Sequence, residues 1–74
     1  LIQAQMEISA INENLKLSLP KGDYETLAGF LLTQFGKIPD EGDELYFGGQ
    51  KFIIRKATQK AISLVEVSKL DDDA

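Results

Sequence analysis

Four carboxylates crowd into one short stretch of this chain. Asp40, Glu41, Asp43 and Glu44 all fall within residues 40–44, in the run IPDEGDEL. Hard cations such as magnesium or calcium take carboxylate oxygens as ligands, so these four are the candidate metal ligands. Their spacing does not match the calcium-loop pattern. Acidic residues beside a proline and a glycine also favour a plain solvated turn, which is the simpler reading. Other reactive groups are scarce. Histidine and cysteine are both absent, which removes the usual general base, the usual zinc ligand and any thiolate nucleophile. The seven serines and threonines have no histidine to activate them, and no motif supports a serine–lysine pair. No catalytic residue is named, and the chain is not expected to be an enzyme.

Two further patterns invite a ligand and have a structural alternative. Gly48-Gly49 lacks the following helix and the additional glycines of a phosphate loop, and reads as a hairpin turn. Tyr24, Phe30, Phe35, Tyr46, Phe47 and Phe52 could stack on a base. At helical and strand spacing such residues are core.

The bulk properties set the frame for these residues. A chain of 74 residues makes one domain, and a domain this small buries only about 60% of its unfolded surface. The hydrophobic share of 43% supports one core and no second one. The net charge of −4 repels phosphate backbones and anionic lipid, so neither nucleic acid nor a membrane surface is an expected partner. No apolar run reaches the 18 or so residues of a membrane span. LIQAQMEISA lacks the basic and apolar regions of a signal peptide. The first residue is not Met, and the chain reads as a piece of a longer protein.

The elements that position these residues follow from periodicity. LIQAQ suits a short entering strand. Ile8, Ile11 and Leu15 share one face of a short helix. Leu15, Leu17 and Leu19 then alternate with polar residues, which suits an extended exit, and Pro20 holds Leu19 out of helical angles. Asp23 is the expected cap of a second helix, with Glu25 favourable at its positive end. Leu27, Leu31 and Phe35 form its apolar stripe, flanked by Tyr24 and Phe30. Gly36 is placed to end it in the left-handed conformation, with Lys37 following, and Pro39 blocks continuation. Gly29 costs about 1 kcal/mol against alanine in mid-helix, so another backbone is expected to approach closely there. ELYF, QKFIIRKA and AISLVEV then read as three antiparallel strands, with Phe52 and Ile54 on one face of the middle one. AISLVEV is apolar on both faces and is expected to be covered on both sides. The fold class is α+β, with two helices on a small, mainly antiparallel sheet in β-α-α-β-β-β order. Residues 1–70 form the domain, and the acidic residues 71–74 read as a frayed tail.

The run INENLKLSLP, followed by DYETLAGFLLTQFGKIPDEGDELYFGGQKFIIRKATQKAISLVEV, resembles the CorC/HlyC transporter-associated domain. That family shows Leu-Asn-Glu, alternating leucines into Leu-Pro, an acidic-Tyr-x-Thr-Leu-x-Gly helix, Gly-[Lys/Arg]-Ile-Pro and a Gly-[Asp/Glu] turn before a strand meander. Asn12, Glu13, Leu19, Pro20, Tyr24, Thr26, Leu27, Gly29, Gly36, Lys37, Ile38, Pro39, Gly42 and Asp43 stand at those places. The chain departs where the family commonly has a glycine before the first helix (here Ala4-Gln5) and an arginine before the last strand (here Lys60-Ala61).

The resemblance implies a non-catalytic regulatory domain of proteins like hemolysin C and the magnesium and cobalt efflux protein CorC. It implies the rest of the parent chain as partner, with a pair of CBS modules and in some cases a membrane domain, and a homodimer as a further option. It places the domain in the cytoplasm, at the inner face of a bacterial membrane. The family fold resembles part of the FAD-binding domains of some oxidases, so FAD or an adenine nucleotide is an alternative ligand by fold analogy alone.

Overall fold

The computed structural model describes residues 1–69. The expected frayed tail, residues 71–74, lies outside the described residues. The element order is β1 (Ile2–Gln3), α1 (Ile8–Leu15), α2 (Leu27–Phe35), β2 (Glu44–Phe47), β3 (Gln50–Ala57) and β4 (Ile62–Lys69). The strands form one sheet in the order β1-β4-β3-β2. Every neighbouring pair is antiparallel. The two helices pack on this sheet, as an α+β pattern requires.

The core is built from alternate residues of the strands and one stripe of each helix. Ile8 and Ile11 of α1, Leu27, Phe30 and Leu31 of α2, and Phe52, Ile54, Ile62 and Val65 of the sheet are all buried, together with Ala4 and Leu19. Each buried aliphatic or aromatic side chain of this kind contributes about 1.5–3 kcal/mol relative to exposure. Phe30 sits at the centre. Its ring meets Phe47 edge-on at 5.1 Å and Tyr24 edge-on at 5.6 Å, with Phe52 at 6.1 Å. The aromatic residues are therefore core, with Tyr46 the exception at 57% exposure.

Gly48 and Gly49 both have positive φ, 59° and 81°, as a two-residue hairpin with matching twist demands. Phe47 pairs with Gln50 directly across that turn.

The structure corrects four expectations. Asp23 does not cap α2. The N-cap is Thr26, whose side chain accepts the Gly29 N–H. The helix starts late because Thr26 is held extended. Thr26 forms a bridge with Glu7, and the Glu25 carbonyl accepts the Ile8 N–H at 2.8 Å. Glu25 consequently lies before the cap, and the first turn of α2 carries no acidic residue.

Leu15 does not complete the α1 stripe. It is 42% exposed, because α1 ends there and Lys16 turns the chain away at a left-handed φ of 57°.

The neighbour of Gly29 is chiefly a side chain. A Cβ at Gly29 would lie 2.7 Å from Tyr24 Cβ, with the Tyr24 Cα behind it at 3.6 Å.

Finally, β4 is not covered on both sides. Leu64 and Glu66 remain half-exposed on the face away from the helices. The mixed apolar pattern comes from an irregularity, since the β3–β4 register shifts on both sides of the Lys56↔Leu64 pair. That break in the period of two lets Ile62 and Val65, three positions apart, both enter the core.

Candidate functional site

The residues singled out in the sequence converge on one corner, where α2 ends and the sheet begins. Gly36 closes α2 at φ 75°, its N–H donating to the Leu32 carbonyl. Ile38 is half-buried and Pro39 fully buried, which pins the chain before the acidic turn. Gly42 takes a φ of 93°, a conformation that costs glycine nothing and burdens any other residue. The Gly42 N–H donates to the Ile54 carbonyl at 2.6 Å, and the Ile54 N–H donates to the Asp43 carbonyl at 2.9 Å. The turn is thus bonded directly onto β3.

Each of three carboxylates has its own donor. Asp43 Oδ2 accepts the Asp40 N–H at 2.9 Å, while the Asp43 N–H returns a bond to the Asp40 carbonyl at 3.0 Å. Glu41 Oε2 reaches across to the Ala57 N–H at 3.1 Å, beside the irregular stretch of β3. Glu44 accepts the Tyr46 hydroxyl at 2.9 Å and lies 3.9 Å from Lys51 Nζ. The negative charge of Glu44 raises the Tyr46 phenol above its ordinary value of 10.0, first by the hydrogen bond and then by repulsion of the phenolate.

Glu41, Asp43 and Glu44 are close in sequence but aim at different donors, and Asp40 takes part through its backbone. Among the described residues, no group of three or more acidic, histidine or cysteine side chains is placed to hold a metal ion. As it stands, the corner does not fit a cation cage.

The first half of the motif forms a clasp between the helices. Asn12, a motif position, lies on α1. Its Oδ1 accepts the Leu19 N–H at 2.9 Å, and its Nδ2 donates to the Leu19 carbonyl at 3.1 Å. A side-chain amide thereby imitates a strand partner and holds buried Leu19 against α1. Pro20 follows, and its carbonyl accepts the Tyr24 hydroxyl at 2.6 Å. Tyr24 then fills the space over Gly29. The first free amides of α2 are also satisfied across the clasp, Leu27 by the Met6 carbonyl and Ala28 by the Ala4 carbonyl. Ala4, where the resembling family commonly has glycine, is fully buried.

A cleft of about 260 Å³ opens between residues 7–9 and 21–25. Glu7, Glu25 and Lys21 stand around it without a converging arrangement. A groove of about 240 Å³ lies at the other end of α1, against the tail of β4.

A family model described as the transporter associated domain, CorC_HlyC, matches residues 1–71. The chain belongs to that family. No curated protein matches it. Solved structures agree with the assignment. A hemolysin domain from Enterococcus faecalis V583 is 30% identical with a TM-score of 0.85, covering 95% of this chain and 86% of that one. The transporter associated domain of a Xylella fastidiosa Temecula1 hemolysin, solved in complex with Mg++ and Mn++, is 26% identical with a TM-score of 0.84, over 95% of this chain and 85% of that one. A CorC_HlyC domain from Nitrosomonas europaea is 30% identical with a TM-score of 0.85, over 92% and 82%. In this transporter-associated domain, the clasp ties Leu19 to α1 and the corner ties the acidic turn to β3. Among its described residues, no helix is long and apolar enough to cross a membrane.

Proposed function

We propose that this transporter-associated domain is a non-catalytic accessory domain of a longer CorC- or hemolysin-like protein. It docks against the rest of its parent chain, which carries a CBS pair and in some arrangements a membrane domain, or against a sister copy. There it biases the transport or efflux of divalent cations such as magnesium and cobalt. The parent holds it in the cytoplasm at the inner face of a bacterial membrane. The observation that carries this reading is the family match over residues 1–71. The geometry supports it, because Asn12, Tyr24, Thr26, Glu41 and Asp43 make hydrogen bonds that fix the scaffold. The test is removal of the domain from the full-length parent, with magnesium and cobalt efflux measured in cells. A changed rate or set point is expected, and transport with unaltered regulation would end this reading.

A second reading is divalent cation binding by the domain itself. The Xylella relative in complex with Mg++ and Mn++ favours it, and Asp40, Glu41, Asp43 and Glu44 are the carboxylates this chain offers. Binding to the folded state alone raises the melting temperature by mass action. Added Mg2+ or Mn2+ should therefore raise it, and Asp40→Asn with Asp43→Asn should remove the effect. An unchanged melting temperature in wild type at millimolar ion disposes of this reading. The FAD or adenine-nucleotide alternative rests on fold likeness alone, and calorimetric titration decides it.

A further inference from the structure

The sheet has one edge that is half used. β1 pairs with β4 at Ile2↔Val65 and Gln3↔Leu64, and the Ala4 N–H extends the contact to the Ser63 carbonyl. Among the described residues, nothing pairs with the same edge of β4 from Glu66 to Lys69. The backbone groups of a strand alternate in direction, with a period of two. Ser63 and Val65 present theirs towards β1, so Val67 and Lys69 present theirs to the same side, where no strand lies. Open backbone groups of this kind are a template for another strand.

A groove also lies between the end of α1 and this end of β4. The groove of about 240 Å³ is lined by Leu15, Lys16, Leu17, Gln50, Val67 and Lys69. Leu15 is 42% exposed, and Leu17 and Val67 are only half-buried. Three apolar and three polar residues thus line the groove, and because Gln50 belongs to β3 it lies over the end of the β3–β4 pair.

The register says what runs there. β1 is antiparallel to β4, so continuing β1 backwards from Ile2 carries it onto Glu66 and then towards Lys69. We propose that the segment of the parent chain immediately preceding Leu1 extends β1 along the open edge of β4 and fills this groove. The inference rests on the reading of this domain as part of a longer chain. Leu1 lies opposite Glu66, the residue before it opposite Val67, and the next two opposite Ser68 and Lys69. At about 3.3 Å per residue, three added residues reach the end of β4. Ile2 shares the core face with Val65, so the residue directly before Leu1 faces Leu15 and Leu17 and is apolar, while the one before that faces outward beside Ser68. The linker from the parent is then a strand of this sheet, and a pull or twist on it is transmitted to β4 without a flexible joint.

The test uses the parent chain with two engineered cysteines, which this domain otherwise lacks. One variant carries Ser68→Cys and a cysteine at the second residue before Leu1. The other carries Ser68→Cys and a cysteine at the residue directly before Leu1, whose side chain points to the opposite face. Mild oxidation followed by denaturing electrophoresis reads the crosslink, and amide exchange at Phe30 and Phe52 confirms that both variants are folded. An intramolecular disulfide in the first and its loss in the second is the expected result. Equal crosslinking in the two, or none in either folded variant, overturns the proposal. A disulfide between two chains overturns it as well and gives the edge to a second copy. Because the readout is position and not transport, it stands apart from the deletion test of regulatory function.

Discussion

Tyr24 occupies the place where Gly29 would carry a side chain: an added Cβ would stand 2.7 Å from Tyr24 Cβ. The obstacle is the stem of the tyrosine, close to its own backbone, and not a mobile end. Tyr24 is further tied by its hydroxyl to the Pro20 carbonyl and by edge contact with Phe30. Alanine at position 29 would gain about 1 kcal/mol in helix propensity. Forced overpacking costs about 1–3 kcal/mol. Gly29→Ala is therefore expected to lower stability by about 1 kcal/mol net, read as a fall in the urea midpoint. A rise in that midpoint would show that the clasp yields freely.

Thr26, and not Asp23, caps α2. Thr26→Ala should cost about 1 kcal/mol, while Thr26→Ser retains an acceptor and most of the stability. Asp23 is exposed, and Asp23→Ala should stay within about 0.5 kcal/mol of wild type. Thermal melts of the three variants at one pH would separate them. The opposite ranking would restore Asp23 as the cap.

Asn12 carries two bonds to the backbone of Leu19. Each is worth about 1 kcal/mol net, and orphaning a partly buried backbone group costs about 1–3 kcal/mol. Asn12→Ala should therefore destabilise by about 2 kcal/mol or more. Asn12→Asp preserves the acceptor for the Leu19 N–H and should cost less. Native-state hydrogen exchange gives a local check: the Leu19 amide should lose protection more than the Phe52 amide does.

The Tyr46 phenol should ionise above pH 10.0 and move back down when Glu44 becomes Gln, because hydrogen bonding and repulsion by Glu44 both oppose the phenolate. The folded state holds this proton more tightly than the unfolded state does. The associated stability is therefore fully present below pH 10.0 and is lost as pH rises through the folded value. Ultraviolet titration of the phenolate band in wild type and Glu44→Gln checks this. Coincident curves would mean that the Glu44–Tyr46 bond does not persist in solution.

Local chemistry was legible along the chain wherever one residue type answers one backbone demand. Gly36 and Gly42 occupy positive φ, Pro39 stops the helix, Gly48-Gly49 turn the hairpin, and Phe52 and Ile54 alternate into the core. Residues at the motif places were readable for the same reason where Gly36 and Gly42 hold turns and Leu19, Leu27 and Pro39 are buried. What escaped were relations between segments distant along the chain or in space. The cap moved from Asp23 to Thr26 because Thr26 bridges to Glu7 and the Leu27 N–H donates to the Met6 carbonyl. The sequence marked Asn12 only as a motif position, and its two bonds appear once Leu19 lies beside it.

By itself, then, the order of residues determined the kinds of element, their glycine and proline stops and the family, since propensity, turn geometry and periodicity act over a few neighbours. Only the tertiary structure decided which carboxylate meets which donor, how a slipped register turns Ile62 and Val65 to one face, and which strand edge is left open. Those outcomes depend on backbone hydrogen bonds and side-chain volumes brought together from remote parts of the chain, and no local period encodes them.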